Sequence, residues 1–157
     1  MNYPTHIQRL LTDDAFGKYT TTTSGTQNVL ADLQALDAST FGSDSEMAEA
    51  CVSGIWLLHN FLDQSHDISQ SLKSPVGSHW HAIMHRLEGD FSNSKYWYRR
   101  VGQWDLYNVI SQRAANPFDP MQFVDQVEQQ GTEATQEMAV VEWQVLFEHC
   151  FEKATGG

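Results

Sequence analysis

The sequence predicts an all-α protein, a single-domain helical bundle of about six to eight helices spanning residues 1–157. Three observations lead there. Apolar residues recur every third or fourth position along most of the chain, the spacing of one helix face. Strand-like alternation never extends beyond four or five residues. Glycine, proline and short Ser/Thr runs interrupt the pattern at helix-length intervals. No internal repeat and no linker divides the chain, and 157 residues make one ordinary domain.

The elements follow in order. Residues 4–12 open with Pro4 at a first-turn position and set Ile7, Leu10 and Leu11 on one face. Residues 13–25 read as a mobile loop, above all the "TTTTSG" run at 20–25. A helix is expected over 26–37, with Val29, Leu30, Leu33 and Leu36 inward. After "GSDSE", Ser43 or Asp44 caps a long helix that runs to Gln64 behind a Cys51, Ile55, Leu58, Leu62 stripe. "DISQSLKSPVGS" breaks the pattern at Pro75 and Gly77. A short helix over 78–88 then stops at Gly89, a left-handed terminator. The next is capped near Ser92 and stopped by Gly102. Helices over 104–114 and 119–129 flank "NPFDP". The last, over 132–153, gathers Trp143, Leu146, Phe147 and Cys150 on one face.

Composition narrows the function. An apolar share of 41% with 11% aromatics is that of a globular chain, and no apolar run reaches the length of a membrane span. Twenty acidic against nine basic residues give a net charge of −11, which argues against nucleic-acid and anionic-membrane partners. The N-terminal run lacks the basic-then-apolar pattern of a secretory signal. Cys51 and Cys150 sit apart in apolar contexts and read as buried free thiols, so a cytoplasmic location is expected. The charge reverses locally at "KYWYRR", residues 95–100, where three cations surround three aromatics. That spot suits a small anion or the acidic face of a partner, although Arg stems and Tyr rings also cover cores.

Chemistry concentrates in residues 78–100. On a helix, His81, His85 and Glu88 fall within about 60° of one another, beside an apolar stripe of Trp80, Met84 and Leu87. His-x-x-x-His brings two imidazoles to one point, as a divalent metal requires. Glu88 lies about 10 Å along the axis from His81, so it is placed to orient His85 or act as a base rather than to share the ion. A third ligand must come from another helix. His59, with His66 two turns on if the helix persists, offers one from the Leu58–Leu62 edge. Glu142 and His149 lie on the flank of the last helix, with less pull toward the core. Each histidine also has a structural reading, satisfying a backbone carbonyl or a nearby acid inside the core. The Glu after the first His that marks zinc proteases is absent.

The segment 65–102 resembles a conserved-hypothetical family of bacterial genomes. The matching positions are His66, Ile68, Ser69, Gln70 and Ser71, then Trp80, His81, Ile83, His85, Arg86, Glu88 and Asp90, then Asn93, Lys95, Tyr96, Trp97, Arg99, Arg100, Val101 and Gly102. The resemblance implies no particular activity. It implies that a site lies in this segment rather than at the termini.

Two functions fit. In the first, the protein is a hydrolase or lyase for a small polar or anionic molecule. His81 and His85 supply acid/base or metal chemistry, Glu88 and Asp90 orient them, and Ser69 and Gln70 on a loop, with Arg99 and Arg100, bind the small-molecule ligand. One divalent metal ion would draw its ligands from His59, His66, His81 and His85. Arg86 and Asp90, four apart, form a surface pair. In the second, the chain is a non-catalytic module, a homodimer or scaffold, that uses Tyr96–Arg100 as its interface. The first expects the histidine patches to converge. The second expects them to point separately into packing.

Overall fold

The computed structural model describes residues 3–21 and 24–156. Among them lie ten α-helices and no strand. The helices are α1 (Thr5–Gln8), α2 (Asp13–Lys18), α3 (Leu30–Gln34), α4 (Ser45–Leu58), α5 (Leu62–Ser69), α6 (Pro75–Glu88), α7 (Phe91–Val101), α8 (Leu106–Ala114), α9 (Pro120–Gln130) and α10 (Gln136–Ala154). Short 3-10 turns occupy Gln27–Val29 and Ala38–Thr40. The fold is all-α, as the periodicity requires. No helix of the described residues is long and apolar enough to cross a membrane.

Five boundaries differ from expectation, among them the start of the last helix, which is Gln136 rather than 132. Residues 13–18, expected as loop, form α2, because Thr12 accepts a hydrogen bond from the Ala15 amide and Asp13 and Asp14 sit in the first turn. Tyr19 and Thr20 behind it are buried, whereas Thr22 and Thr23 lie outside the described residues. The helix expected over 26–37 is a 3-10 turn followed by α3, with only Leu33 of its four apolar residues buried and the others packed on the core's edge. The long helix does not reach Gln64. Asn60 adopts φ 62°, its side chain donates to the Lys18 carbonyl, and the chain turns a corner before α5. Finally, α6 starts at Pro75 rather than 78. Ser74 caps it, Pro75 fits its first turn, and Glu46 Oε1 accepts from the amides of Lys73 and Ser74 at 2.9 Å each.

Helices α4 and α6 run through the interior. From Ala50 to Leu58 every residue of α4 is buried, and so is every residue of α6 from Val76 to Arg86. An all-round buried helix is expected to be apolar all round. That holds for α4, whose polar exception, Ser53, bonds the Ser65 carbonyl and hydroxyl at 3.0 Å. It fails for α6, which carries His79, His81, His85 and Arg86 into the core. Around these two pack α10, with Trp143, Leu146, Phe147 and Cys150 buried as expected, and the α6–α7 hairpin. Cys51 and Cys150 are buried free thiols on the packed helices α4 and α10.

A close approach in the core is at Gly54, whose carbonyl accepts from Trp143 Nε1 at 2.8 Å. A Cβ there would stand 2.6 Å from the Trp80 ring, which is fully buried and has no room to move. Overpacking costs about 1–3 kcal/mol, against roughly 0.5–1 kcal/mol of helix propensity gained by removing the glycine. Gly54→Ala is therefore expected to lower stability, read as an earlier urea midpoint at unchanged slope; a later midpoint would refute this packing.

Candidate functional site

Local sequence builds the site in two pieces. The first is the α6–α7 hairpin. Gly89, at φ 86°, ends α6, with its amide bonded to the Arg86 carbonyl and the Asp90 amide to the His85 carbonyl. Asp90 then caps α7, its Oδ1 accepting from the Asn93 amide and the Ser92 hydroxyl at 3.1 Å. Buried Ser94 donates to the Ala82 carbonyl at 2.7 Å and ties the two helices together. The second piece is α5, held to α4 through Ser53 and Ser65 and turned inward by the corner at Asn60.

These pieces bring three histidines together. His66 on α5 and His81 and His85 on α6 each offer a ring nitrogen within 4.8 Å of the others. Ring centroids are 4.6 Å apart for His66–His81, 4.8 Å for His81–His85 and 5.8 Å for His66–His85. A tetrahedral ion bonded at about 2.0–2.1 Å holds its nitrogens about 3.4 Å apart, so closure needs only small side-chain adjustment. His81 and His85 are buried, while the His66 side chain keeps 35% of its surface exposed and opens the cluster to solvent.

The surroundings orient the rings. His85 Nδ1–H donates to Glu88 Oε1 at 2.8 Å, which leaves Nε2 with the free lone pair. The Asp67 carboxylate stands 3.8 Å from His66 Nδ1. Trp97 of α7 stacks on His81, with centroids 4.0 Å apart and planes 20° from parallel, and the Arg100 guanidinium lies 5.2 Å from the Trp97 centroid. His81 Nδ1 is buried with no hydrogen-bond partner among the described residues. Burial first, then the neighbouring His85 and His66, hold His81 down at about 3, so it is a neutral imidazole at ordinary pH.

The other expected residues are placed differently. His59 does not join the cluster; the corner at Asn60 separates it from α5, and its Nε2–H donates to the Leu10 carbonyl at 2.9 Å. Asp90 lies near His85 and Glu88, forming with them a second group with ligand atoms within 4.8 Å of one another, but its carboxylate is engaged in capping α7. Ser69 and Gln70 are not on a loop. Ser69 is the last residue of α5, buried and bonded to the His66 carbonyl, and Gln70 donates to Asp67. Arg99 and Arg100 are exposed on α7, as is Tyr96. A cleft of about 460 Å³ lined by Tyr3, Leu11, Phe16 and Trp143, with Gln8, Gln144 and Glu148, lies elsewhere and contains none of the three histidines.

Two expectations concerning Arg86 and Glu142 are overturned together. Arg86 is not in a surface pair with Asp90, and Glu142 is not on a flank; both are fully buried and bonded to each other. Glu142 Oε2 accepts from Arg86 Nη2 at 2.5 Å, and its Oε1 accepts from His79 Nε2 at 2.8 Å and from the Tyr98 hydroxyl at 2.5 Å. Arg86 Nη1 also donates to the Tyr98 oxygen, and its guanidinium lies over the Phe123 ring at 4.5 Å. The sequence signal was present but weak: Glu142 adjoins Trp143 in an otherwise apolar stretch, where a lone acid needs a buried partner.

No protein-family model, curated protein or solved structure matches the chain.

Burial pushes the Glu142 carboxyl up, but Arg86 and His79 outweigh it and hold the group at about 2 against an ordinary 4.5. A carboxyl depressed by folding adds stability above its unfolded value that disappears as pH falls through its folded value. On the order of 3 kcal/mol is therefore expected to be lost between about pH 5 and pH 2, measured as urea midpoints across that range. Glu142→Gln should lack this part of the pH dependence and be less stable at pH 7 by about 3–5 kcal/mol, since Arg86 stays buried without its carboxylate. An unchanged acid profile in that variant would remove Glu142 as its cause.

Proposed function

We propose that the protein is a metal-dependent hydrolase or lyase for a small polar or anionic molecule, with one divalent ion held by His66, His81 and His85. The observation that carries this reading is the convergence of three imidazoles, from two helices, on one point. Nothing in apolar packing calls for it: α6 buries Trp80, Ile83 and Met84 on its own account. Three protein nitrogens leave a fourth position open, the pattern of catalytic rather than structural zinc sites. An ion held there would supply Lewis acidity and lower the pKa of a bound water.

The chain's own residues have separable parts. Glu88 holds the His85 ring and fixes its tautomer. Trp97 walls one side of His81 and limits water. Half-exposed His66 marks the side from which a small molecule enters, and Arg100, seated on Trp97, provides a cation for an anionic group. Ser69 and Asp90 have structural roles instead, bonding the His66 carbonyl and capping α7.

A second reading has one observation in its favour. Tyr96 is 47% exposed beside Arg99 and Arg100, which suits an interface for an acidic partner or a second copy of the chain. The histidine convergence has no place in it.

The test is zinc and cobalt binding by calorimetry, with elemental analysis of the purified protein. One equivalent per chain is expected, abolished in His81→Ala/His85→Ala and removed by chelators. Glu88→Gln should bind about 10–100-fold more weakly, as loss of an outer carboxylate does. A screen of ester, amide and phosphoester substrates on the loaded protein follows. Failure of the native chain to bind either ion at micromolar concentration would rule the reading out.

A further inference from the structure

We infer that Glu142 is a positioning residue for the His66–His81–His85 centre, acting through α6 and α7 rather than by touching the ligands; the inference rests on the metal-centre reading above. The geometry is a clamp. His79 stands two residues before His81 and Arg86 one residue after His85, and both end on the single Glu142 carboxylate of α10. The anchors are seven apart and share a face, while the ligand pair projects about 130° round the helix. Tyr98 of α7, the third donor to Glu142, adjoins Trp97, which stacks on His81. One buried carboxylate thus holds the helix bearing two of the ligands and the helix bearing the wall.

Physical scale makes the clamp necessary. A slip of one residue moves a helical side chain by about 1.5 Å along the axis and about 100° around it. A working metal or catalytic constellation tolerates about 0.5 Å and 10–20°. The apolar contacts of α6 are non-directional and fix its burial better than its rotation. Hydrogen bonds are directional and weaken steeply when misaligned. Nor is stability a sufficient reason for the network, because buried ion pairs can often be exchanged for apolar side chains with little or no loss. What an apolar substitute would not reproduce is the registry of His81, His85 and Trp97 against His66.

The experiment compares cobalt and zinc affinity, and the cobalt d–d absorption spectrum, in the full chain and three variants. The decisive variant is the apolar replacement His79→Leu/Arg86→Met/Glu142→Leu, which leaves no orphaned charge and is expected to unfold cooperatively near the wild-type midpoint. Its metal affinity should fall by about tenfold or more, the scale of lost outer partners, with a broadened and weakened tetrahedral cobalt band. Tyr98→Phe, which removes one donor to Glu142 and the oxygen that accepts from Arg86 Nη1 while keeping both charges of the pair, should shift affinity in the same direction by less, and it carries the test if the triple variant does not fold. Leu33→Ala, on α3, is the control: less stable, with affinity unchanged. Wild-type affinity and spectrum in the folded triple variant, or in Tyr98→Phe should only that one fold, would overturn the positioning role while leaving the metal centre standing. Absence of metal binding by the wild-type chain would overturn both.

Discussion

The Glu142 carboxylate, buried to the last oxygen and accepting from Arg86, His79 and Tyr98, is the constraint around which the helices are arranged. A lone carboxylate at that depth would be driven to protonate, and a lone guanidinium beside it would be more costly still. Each is tolerable only with the other in place, so α6, α7 and α10 are bound to a common geometry. The aromatic lining follows from it. Tyr98 and Trp104 pack their rings at 5.3 and 5.7 Å from His79, and Phe123 lies under the guanidinium. Such rings give charged groups a low-dielectric surrounding that still offers favourable faces.

The candidate centre depends on a further set of small polar contacts in the connections. Asn60 in a left-handed conformation ends α4 and releases α5, so that His66 points at α6 and His59 does not. Glu46 receives the amides ahead of α6, and Gly89 with Asp90 folds α7 back along it. Each contributes a modest hydrogen bond of about 1 kcal/mol. Their larger effect is to decide which way each helix leaves its corner.

The charge distribution is consistent with a cation at the centre. Asp67 stands beside His66, Glu88 on His85 and Asp90 just beyond, in a chain of net charge −11. Carboxylates gathered around imidazole nitrogens favour a metal ion over an anion at the same point. Arg100 lies one step outward, over Trp97, and Arg99 is exposed beside it in sequence on α7. In the proposed reading, an ion would be held inside and an anionic group would meet Arg100 further out.

Much of this was legible in the chain. Periodicity of 3.6 with glycine stops gave the helical class, and the Gly89 terminator and the buried stripe of α10 lie where that pattern puts them. The His81–His85 pair and the role of Glu88 toward His85 were readable because i, i+3 and i, i+4 neighbours are set by helix geometry alone. Other features were not readable because they depend on contacts distant in sequence. Asn60 is an ordinary helix residue until Lys18 offers it a carbonyl, and Arg86 is a surface residue until Glu142, 56 positions away, gives it a partner in the core. By itself the sequence determined which side chains share a helix face, because that is a property of the local backbone. Only the tertiary structure decided that His66 rather than His59 meets the pair, and that Glu142 lies at the centre rather than on a flank, because the burial of a charge is settled by the partner that meets it.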